Sequence, residues 1–299
     1  MGFDFPTSIS VIMPVYNRAE TVVRALDSVF CQTLAPLEII IVNDCSTDRT
    51  AEVLDRLHNP LVKVIHLERN QGAQQARIRG IKEAKGDFLS FLDSDDEWFP
   101  DSLQKRLESF LAAGFKYGLV YGDARFNGRE GEIFAYKRLS GHHYPYLLKE
   151  LSLCPYSVMM ISRACLESTG LPSPDFPSWQ DDDMVLTVGK MFPVHHCGAV
   201  VAIMHRSPNC ISVNKDAVYQ GCRKIVAKYA DDIIRHNGLI WYYLWKLRIV
   251  NSLIISKLSA RQRTADKSNL TSSLLRSGLK IAHKVIRSFL RLFFQRVNS

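Results

Sequence analysis

The sequence lacks an apolar run long enough to cross a bilayer. A transmembrane helix needs roughly 20 consecutive apolar residues, and the most apolar late segment, 239–255, is interrupted by Lys246, Arg248 and Asn251. Residues 1–10 also lack the basic stretch followed by an apolar stretch that is typical of a signal peptide. We therefore expect a chain that does not cross a membrane.

Signals for a disulfide framework or a zinc site are missing as well. The seven cysteines are scattered, odd in number and without a C-x-x-C pair, a pattern that fits reduced thiols in the cytosol. The histidine pairs at 142–143 and 195–196 lack metal-ligand spacing, so we interpret them as structural or surface residues. A P-loop, an internal repeat and a low-complexity segment are absent too.

What is present is enough apolar sequence for one large core. The chain has 299 residues, of which 46% are hydrophobic, and this favours one large α/β domain with an appendage over two equal domains. The net charge of +8 is concentrated at the end, where ten Lys or Arg accompany one acidic residue, Asp266, from Lys257 onward. The chain is therefore predicted to be nearly neutral with a basic tail.

Short apolar strands alternate with helical segments through the first 100 residues. Strands are predicted at 10–15, 37–42, 62–67 and 88–92, each followed by a segment of helical spacing. This alternation indicates βαβ crossovers and a largely parallel sheet covered on both faces. Later assignments are weaker and include a strand at 133–139 and a helix at 184–192.

Polar residues follow three of these strands directly. They are Tyr16, Asn17, Asp44, Asp93 and Asp95. Because ligands of such sheets bind at the carboxyl ends of the strands, we expect these side chains to line one crevice.

The most informative stretch is Asp93-Ser94-Asp95-Asp96, which ends the strand at 88–92. Mg²⁺ and Mn²⁺ prefer oxygen ligands, and Mg²⁺ typically takes one or two carboxylates while substrate phosphates and water complete the shell. Asp93 and Asp95 are therefore predicted to hold Mg²⁺ or Mn²⁺. The alternative is an acidic turn that only caps the helix starting near Pro100.

Four stretches in order resemble the inverting family-2 glycosyltransferases and their GT-A fold. They are Val11-Ile12-Met13-Pro14-Val15-Tyr16-Asn17, Ile41-Val42-Asn43-Asp44-Cys45-Ser46-Thr47-Asp48, Asn70-Gln71-Gly72 through Ala76-Arg77, and Gly86-Asp87-Phe88 through Asp96. The resemblance covers about residues 8–210. It implies an α/β fold with a mostly parallel, Rossmann-like sheet flanked by helices, followed here by a C-terminal helical extension.

The resemblance also implies a nucleotide-sugar site. Its residues would be Pro14, Tyr16, Asn17, Asp44, Arg77, Asp93 and Ser94. Tyr16 would lie against the base, and Asp44 would accept a hydrogen bond from a uracil or thymine N–H. Arg77 would approach the diphosphate, Asp95 would ligate the metal directly, and Asp93 would be shared between metal and ribose. The alternatives are a core aromatic for Tyr16, a turn former for Asp44 and an exposed helical arginine for Arg77.

A carboxylate that activates the acceptor hydroxyl is implied in Trp179-Gln180-Asp181-Asp182-Asp183. We assign this base to Asp181, with Asp182 and Asp183 as rivals, since three aspartates stand where the family often has two acidic residues around an aromatic one. Acidic residues in a first helical turn also favour the helix dipole without any catalysis. His205 or Arg206 would contact the diphosphate, or would belong to a plain loop.

The basic tail has separate apolar and basic stripes. Between Leu274 and Val297, apolar residues recur at helical spacing on one stripe and basic residues on another. Such a helix suits the surface of an anionic membrane, and packing on the core or on a second copy is the alternative. The predicted domains are 1–215 (catalytic), 216–260 (helical extension) and 261–299 (membrane association).

Together these features predict a cytoplasmic enzyme, peripheral on the inner face of the cell membrane. It would move a sugar from a UDP- or dTDP-sugar to an acceptor hydroxyl of a saccharide. The expected class is hexosyl or N-acetylhexosaminyl transfer, and the expected acceptor is a lipid-linked saccharide of a bacterial surface polymer. The alternatives are a catalytically silent nucleotide-sugar or membrane-surface binding module and a sugar-phosphate nucleotidyltransferase. Nucleic acid is not an expected partner, because no recognised nucleic-acid-binding module accompanies the basic tail.

Overall fold

The computed structural model describes residues 7–127, 132–151, 153–205 and 213–262. The strands are β1 (Ile9–Val15), β2 (Glu38–Asn43), β3 (Val62–His66), β4 (Phe88–Phe91), β5 (Glu97–Trp98), β6 (Leu119–Asn127), β7 (Ile133–Phe134), β8 (Ser140–Gly141), β9 (Met159–Ser162) and β10 (Val194–His205). The helices are α1 (Val22–Phe30), α2 (Thr50–Asp55), α3 (Ala73–Glu83), α4 (Ser102–Ala112), α5 (Tyr144–Leu147), α6 (Arg163–Thr169), α7 (Gln180–Gly189), α8 (Lys215–Lys228) and α9 (Ala230–Gln262), with a short 3₁₀ turn at Tyr156–Val158.

One sheet organises the described part of the chain, in the order β3-β2-β1-β4-β9-β6-β10-β5. The four strands β3, β2, β1 and β4 are parallel to their neighbours, as the alternation of strands and helices predicts. β9 is antiparallel to both β4 and β6, whereas β6 and β10 are parallel. The sheet is therefore parallel in its first half and mixed in its second.

Close packing at the start of β4 explains the glycine that precedes it. A Cβ atom on Gly86 would lie 2.5 Å from the backbone nitrogen of Ser10, closer than any side chain tolerates. The bare backbone lets β4 approach β1, and all four residues of β4 are buried. This approach places the acidic turn after β4 at the same edge as the end of β1.

Pro14 is tolerated inside β1 because the neighbouring ladder has already ended. β1 pairs with β4 only from Ile9 to Ile12, and the last bond on that side runs from the Leu92 N–H to the Ile12 carbonyl. Proline cannot donate to a ladder, and at this position no bond to β4 is missing.

The strand predicted at 133–139 is wrong beyond Phe134. The backbone of the following residues bonds to side chains of β6: Tyr136 N–H donates to Asp123 Oδ1 at 2.8 Å, and the Tyr121 hydroxyl donates to the Lys137 carbonyl. Because buried side chains satisfy these backbone groups, the segment needs no strand partner there.

The chain divides into two compact units. The first takes the described residues up to Leu147, Leu151–Asp175 and the segment from Gln180 to 205; the second takes Leu148–Glu150, Phe176–Trp179 and helices α8 and α9. Among the described helices none is both long and apolar enough to span a bilayer. The tail helix predicted at 274–297 lies outside the described residues.

Candidate active site

The acidic turn after β4 lies at the carboxyl edge of the sheet and does not cap α4. β5 intervenes between the turn and α4, and the residue before that helix is Asp101, which makes no side-chain capping bond. The Asp93 side chain is 32% exposed and that of Asp95 is 16% exposed. Both carboxylates therefore keep a face open to a ligand, and the helix-cap interpretation fails.

Asp96 has a different, structural position. It is buried, its Oδ2 accepts a 2.6 Å hydrogen bond from the Ser157 hydroxyl, and its Oδ1 accepts one of 3.1 Å from the His205 N–H. Burial, and then the neighbouring charge of Asp93, raise its pKa well above the ordinary range of an aspartate. Asp96 thus ties the turn to the 3₁₀ segment and to the end of β10.

The charge balance of the turn fits a cation. Burial and the nearby Asp93 also raise the pKa of Asp95, although Arg18 Nη2, 3.1 Å from its Oδ2, partly offsets them. A carboxylate pKa raised in this way means that added positive charge would be favourable. Among the described residues there is no cluster of three or more acidic, histidine or cysteine side chains that would enclose a metal. Asp93 and Asp95 fit a divalent ion whose other ligands come from substrate and water.

Arg77 occupies the centre of the site, and it is not an exposed helical arginine. Its side chain is 6% exposed; Nη2 donates to Asp93 Oδ1 at 2.5 Å and Nη1 donates to Gln180 Oε1 at 2.7 Å. The guanidinium lies over the Tyr156 ring, 4.1 Å from its centroid. Burial alone would lower the pKa of Arg77, but Asp93, Tyr156 and Asp181 together raise it, so the guanidinium stays charged.

The three consecutive aspartates all lie in the first turn of α7 but have different surroundings. Asp183 is fully buried, and its Oδ2 accepts a 2.7 Å bond from the Ser173 N–H. Asp182 is buried as well, whereas Asp181 is partly exposed. Asp181 Oδ1 accepts a 3.2 Å bond from the Tyr156 N–H. Burial raises the pKa of Asp181 to about 6, with Arg77 lowering it and Asp93 raising it.

The residues predicted to bind the nucleotide follow β1 and β2. Tyr16 is 43% exposed, so it is no core aromatic. The side-chain oxygen of Asn17 accepts a 2.8 Å bond from the Thr47 N–H, which links the loops after β1 and β2. Pro14 and Ser94 are buried, and the Ser94 carbonyl accepts a 2.9 Å bond from the Thr21 hydroxyl.

Asp44 anchors the loop before α3. Its two carboxylate oxygens accept bonds of 2.7 Å from the N–H groups of Gln71 and Gly72. A carboxylate has about four lone-pair directions, so these bonds leave capacity for a base N–H. Burial raises the pKa of Asp44 despite the two backbone bonds.

Several residues at the site carried no signal in the sequence. Arg18, Tyr156 and Ser157 lie outside the four stretches that resemble the family, and Gln180 is distinguished in the sequence only by its position before Asp181. His205 ends β10 with its ring nitrogens 2.6 Å from Glu97 Oε1 and 3.0 Å from Asn127 Nδ2. Arg206 lies outside the described residues.

Comparison with known proteins gives a family match and several relatives. The model described as "Glycosyl transferase family 2" matches residues 10–167. The chain is 35% identical over 140 residues to the succinoglycan biosynthesis protein ExoO of Rhizobium meliloti (strain 1021), a match that covers 46% of this chain and 40% of ExoO. It is 28% identical over 214 residues to the UDP-Glc:alpha-D-GlcNAc-diphosphoundecaprenol beta-1,3-glucosyltransferase WfgD of Escherichia coli, covering 69% of this chain and 80% of WfgD.

A solved structure supports the fold. The mannosyltransferase PcManGT from Pyrobaculum calidifontis, solved in complex with GDP-Man and Mn²⁺, matches with a TM-score of 0.61 and 19% identity over 93% of this chain and 81% of that one. The expected GT-A class, an α/β sheet flanked by helices with a helical C-terminal region, is confirmed. The chain spans 40% of the length of ExoO and 42% of that of another relative, the putative teichuronic acid biosynthesis glycosyltransferase TuaG of Bacillus subtilis (strain 168).

Proposed function

The chain belongs to glycosyl transferase family 2, and from its site we propose that it moves a sugar from a nucleoside diphosphate donor to an acceptor hydroxyl with inversion. One observation carries the proposal. Two accessible carboxylates, Asp93 and Asp95, follow β4, and Arg77 bonds to Asp93 and interacts with the charge of Asp181, a partly exposed carboxylate of raised pKa. Transfer from a diphosphate needs both functions: neutralisation of the leaving group and a base for the incoming hydroxyl.

On the donor side, the exposed ring of Tyr16 would stack on the base, and Asp44 would accept a hydrogen bond from its N–H. Asp93 and Asp95 would hold Mg²⁺ or Mn²⁺. When bound, such an ion supplies Lewis-acid stabilisation of the negative charge that develops on the diphosphate. Asn17 and Ser94 would shape the crevice for the nucleotide, and Pro14 would support it from within β1.

On the acceptor side, Asp181 would take the proton of the attacking hydroxyl. The bond between the anomeric carbon and the diphosphate oxygen breaks, a bond to the acceptor oxygen forms on the opposite face, and the proton passes to the carboxylate. A base is most effective when its pKa lies near the working pH, and the raised pKa of Asp181, about 6, meets that condition. The carboxylate also stabilises the oxocarbenium-like charge of the transition state.

The substrates are proposed from the relatives. WfgD is named for a UDP-glucose donor and a diphosphoundecaprenol-linked acceptor, and ExoO for succinoglycan biosynthesis. We propose a UDP- or dTDP-linked hexose or N-acetylhexosamine as donor and a lipid-linked saccharide of a bacterial surface polysaccharide as acceptor.

A thermal-shift series tests the donor site. We expect UDP or dTDP with Mn²⁺ to raise the melting temperature, and EDTA to remove the rise, because a ligand selective for the native state adds RT ln(1 + [L]/Kd) of stability. GDP, which carries a different nucleobase, is the matched control for recognition of the uracil or thymine ring. Slow, metal-dependent hydrolysis of the bound donor would separate an enzyme from a silent binding module. Pyrophosphate release from a nucleoside triphosphate and a sugar phosphate would instead indicate a nucleotidyltransferase.

We further propose that the protein lies on the anionic inner face of the cell membrane. Besides the basic tail of the sequence, helix α9 supports this placement. Ile240 is 55% exposed and Leu244 is 43% exposed one turn apart. On the same helix Lys246 Nζ lies 5.0 Å from the Tyr242 ring centroid. Aromatic, apolar and basic side chains in this combination are typical of helices at a membrane interface.

Vesicle flotation tests this placement. The full chain should float with anionic vesicles and not with neutral ones, and high salt should weaken binding because exposed charges are screened beyond about 8–10 Å. A chain ending at Ser259 and the variant Ile240→Glu/Leu244→Glu should both bind less. Met191→Glu, at a position that is 54% exposed in the first unit, is the matched control. Salt-insensitive flotation, or a large loss of melting temperature on truncation, would point to a tail that packs on the protein.

A further inference from the structure

We propose that Gln180 and Arg77 are positioning residues for Asp181, joining the start of helix α7 to the donor-side carboxylate Asp93. The proposal rests on the function proposed above and assigns Arg77 a task other than contacting the diphosphate. In this arrangement the Arg77 guanidinium, which bonds to Asp93, also sets the position of Asp181 through Gln180.

One guanidinium bonds to both sides of the site through its two terminal nitrogens. Arg77, from α3, donates through Nη2 to Asp93 and through Nη1 to Gln180, at 2.5 and 2.7 Å. A guanidinium is planar and its donors keep a fixed fork geometry. The Asp93 oxygen and the Gln180 oxygen are therefore held at a set separation, and Gln180 is the first residue of α7.

Tyr156 completes the arrangement from a third segment. Its ring lies under the guanidinium at 4.1 Å, and its backbone N–H donates to Asp181 Oδ1 at 3.2 Å. Its hydroxyl donates to Gln74 Oε1 at 3.2 Å, and Gln74 belongs to α3, as Arg77 does. Helix α3 therefore holds the start of α7 through Arg77, and the 3₁₀ turn holds Asp181 through the Tyr156 N–H. Neither element carries a proposed catalytic group.

The side chain of Gln180 is suited to positioning Asp181 and not only to filling space. Its side chain is buried and provides an amide oxygen to Arg77 without adding a negative charge beside Asp181. The network also leaves two buried donors, Arg77 Nε and Gln74 Nε2, without a hydrogen-bond partner. Unsatisfied buried polar atoms are uncommon in native proteins and need an explanation. Here Arg77 is oriented toward two partners on different segments, Gln180 and Asp93, and this orientation leaves its Nε without an acceptor.

The test compares Gln180→Met with wild type. Methionine keeps the length of the side chain and removes the accepting oxygen, so we expect kcat to fall roughly 10- to 100-fold, since a small misplacement of a reacting group costs this much. The donor Kd, measured by thermal shift, should change less than about 2-fold, because the donor-side groups are untouched. Gln180→Glu, which restores an accepting oxygen but adds a negative charge beside Asp181, should recover part of the lost kcat at pH 8.

A second readout does not depend on turnover. Backbone hydrogen exchange in the first turn of α7 should quicken in Gln180→Met and return toward the wild-type rate in Gln180→Glu. Gln32→Met is the matched control: Gln32 is buried and bonds to Ser28, Phe99 and Leu103, so it should lose thermal stability while kcat is retained.

Three results would overturn the proposal. They are an unchanged exchange rate in α7 of Gln180→Met, a raised donor Kd with kcat intact, and an equal kcat loss in Gln32→Met at a matched loss of melting temperature. A wild-type protein that shows neither donor binding nor transfer would instead refute the proposed function, and the exchange measurement would still decide whether Gln180 holds α7.

Discussion

Asp95→Asn is expected to abolish sugar transfer while leaving the fold intact. The amide oxygen carries no negative charge, so it binds the hard cations Mg²⁺ and Mn²⁺ more weakly than the Asp95 carboxylate does. The fold should tolerate the change because Arg18 can still bond to the amide oxygen, and burial already raises the pKa of the Asp95 carboxylate. Transfer from a radiolabelled donor, with the melting temperature alongside, measures both parts of the prediction.

The matched control is Asp101→Asn. Asp101 also lies after a strand end and pairs with a basic side chain, Lys105, at 2.6 Å, but it is 42% exposed and precedes α4. This variant should keep wild-type activity. Near-wild-type turnover of Asp95→Asn, or full activity of the wild type in EDTA, would refute the metal assignment.

Asp181→Asn should reduce turnover at least about 10²-fold with donor binding little changed, the loss expected when a general base is removed. Asp182→Asn should be milder. Asp183→Asn should act mainly on stability, because Asp183 is fully buried and accepts a bond from the Ser173 N–H. If Asp182 or Asp183 proves to be the intolerant position, the base lies elsewhere in the first turn of α7.

The same assignment predicts the acid limb of the pH profile. Only the ionised carboxylate can accept a proton, and burial raises the pKa of Asp181 to about 6. The wild-type kcat/KM should therefore be full above this pH and should fall as the pH drops through about 6. A limb that stays near pH 4, the ordinary range of an exposed aspartate, would contradict the assignment of Asp181 as the base.

The first half of the fold could be predicted from the sequence because its signals are local. β1, β2 and β4 are short, mostly apolar runs, and each ends close to a polar turn residue. Parallel strands joined by helices have little choice of topology. For this reason the sequence alone predicts one shared edge for the residues that follow these strands, Tyr16, Asn17, Asp44, Asp93 and Asp95.

The second half was less predictable because its strands are paired through tertiary contacts. β9 lies between β4 and β6 and is antiparallel to both, an order that no periodicity shows. The predicted strand ends early, at Phe134, also because of tertiary contacts. The side chains of Tyr121 and Asp123 bond to the backbone of the residues that follow. These partners lie 13 and 16 residues away in sequence, and only the folded chain brings them together.

By itself, the sequence determined the kinds of chemistry available: carboxylates after a buried strand, a tyrosine and an aspartate after two others, and an aspartate run at the start of a helix. Only the tertiary structure decided which carboxylates stay accessible and which are buried. Asp95 and Asp96 are neighbours, yet one keeps an open face and the other is enclosed by Ser157 and the His205 backbone. Likewise the sequence left Arg77 either near the diphosphate or exposed on α3, whereas in the structure it is buried and bonds to Gln180, which is 103 positions away. The physical reason is that burial and the position of neighbouring charges set the role of an ionisable group, and both depend on segments distant in the chain.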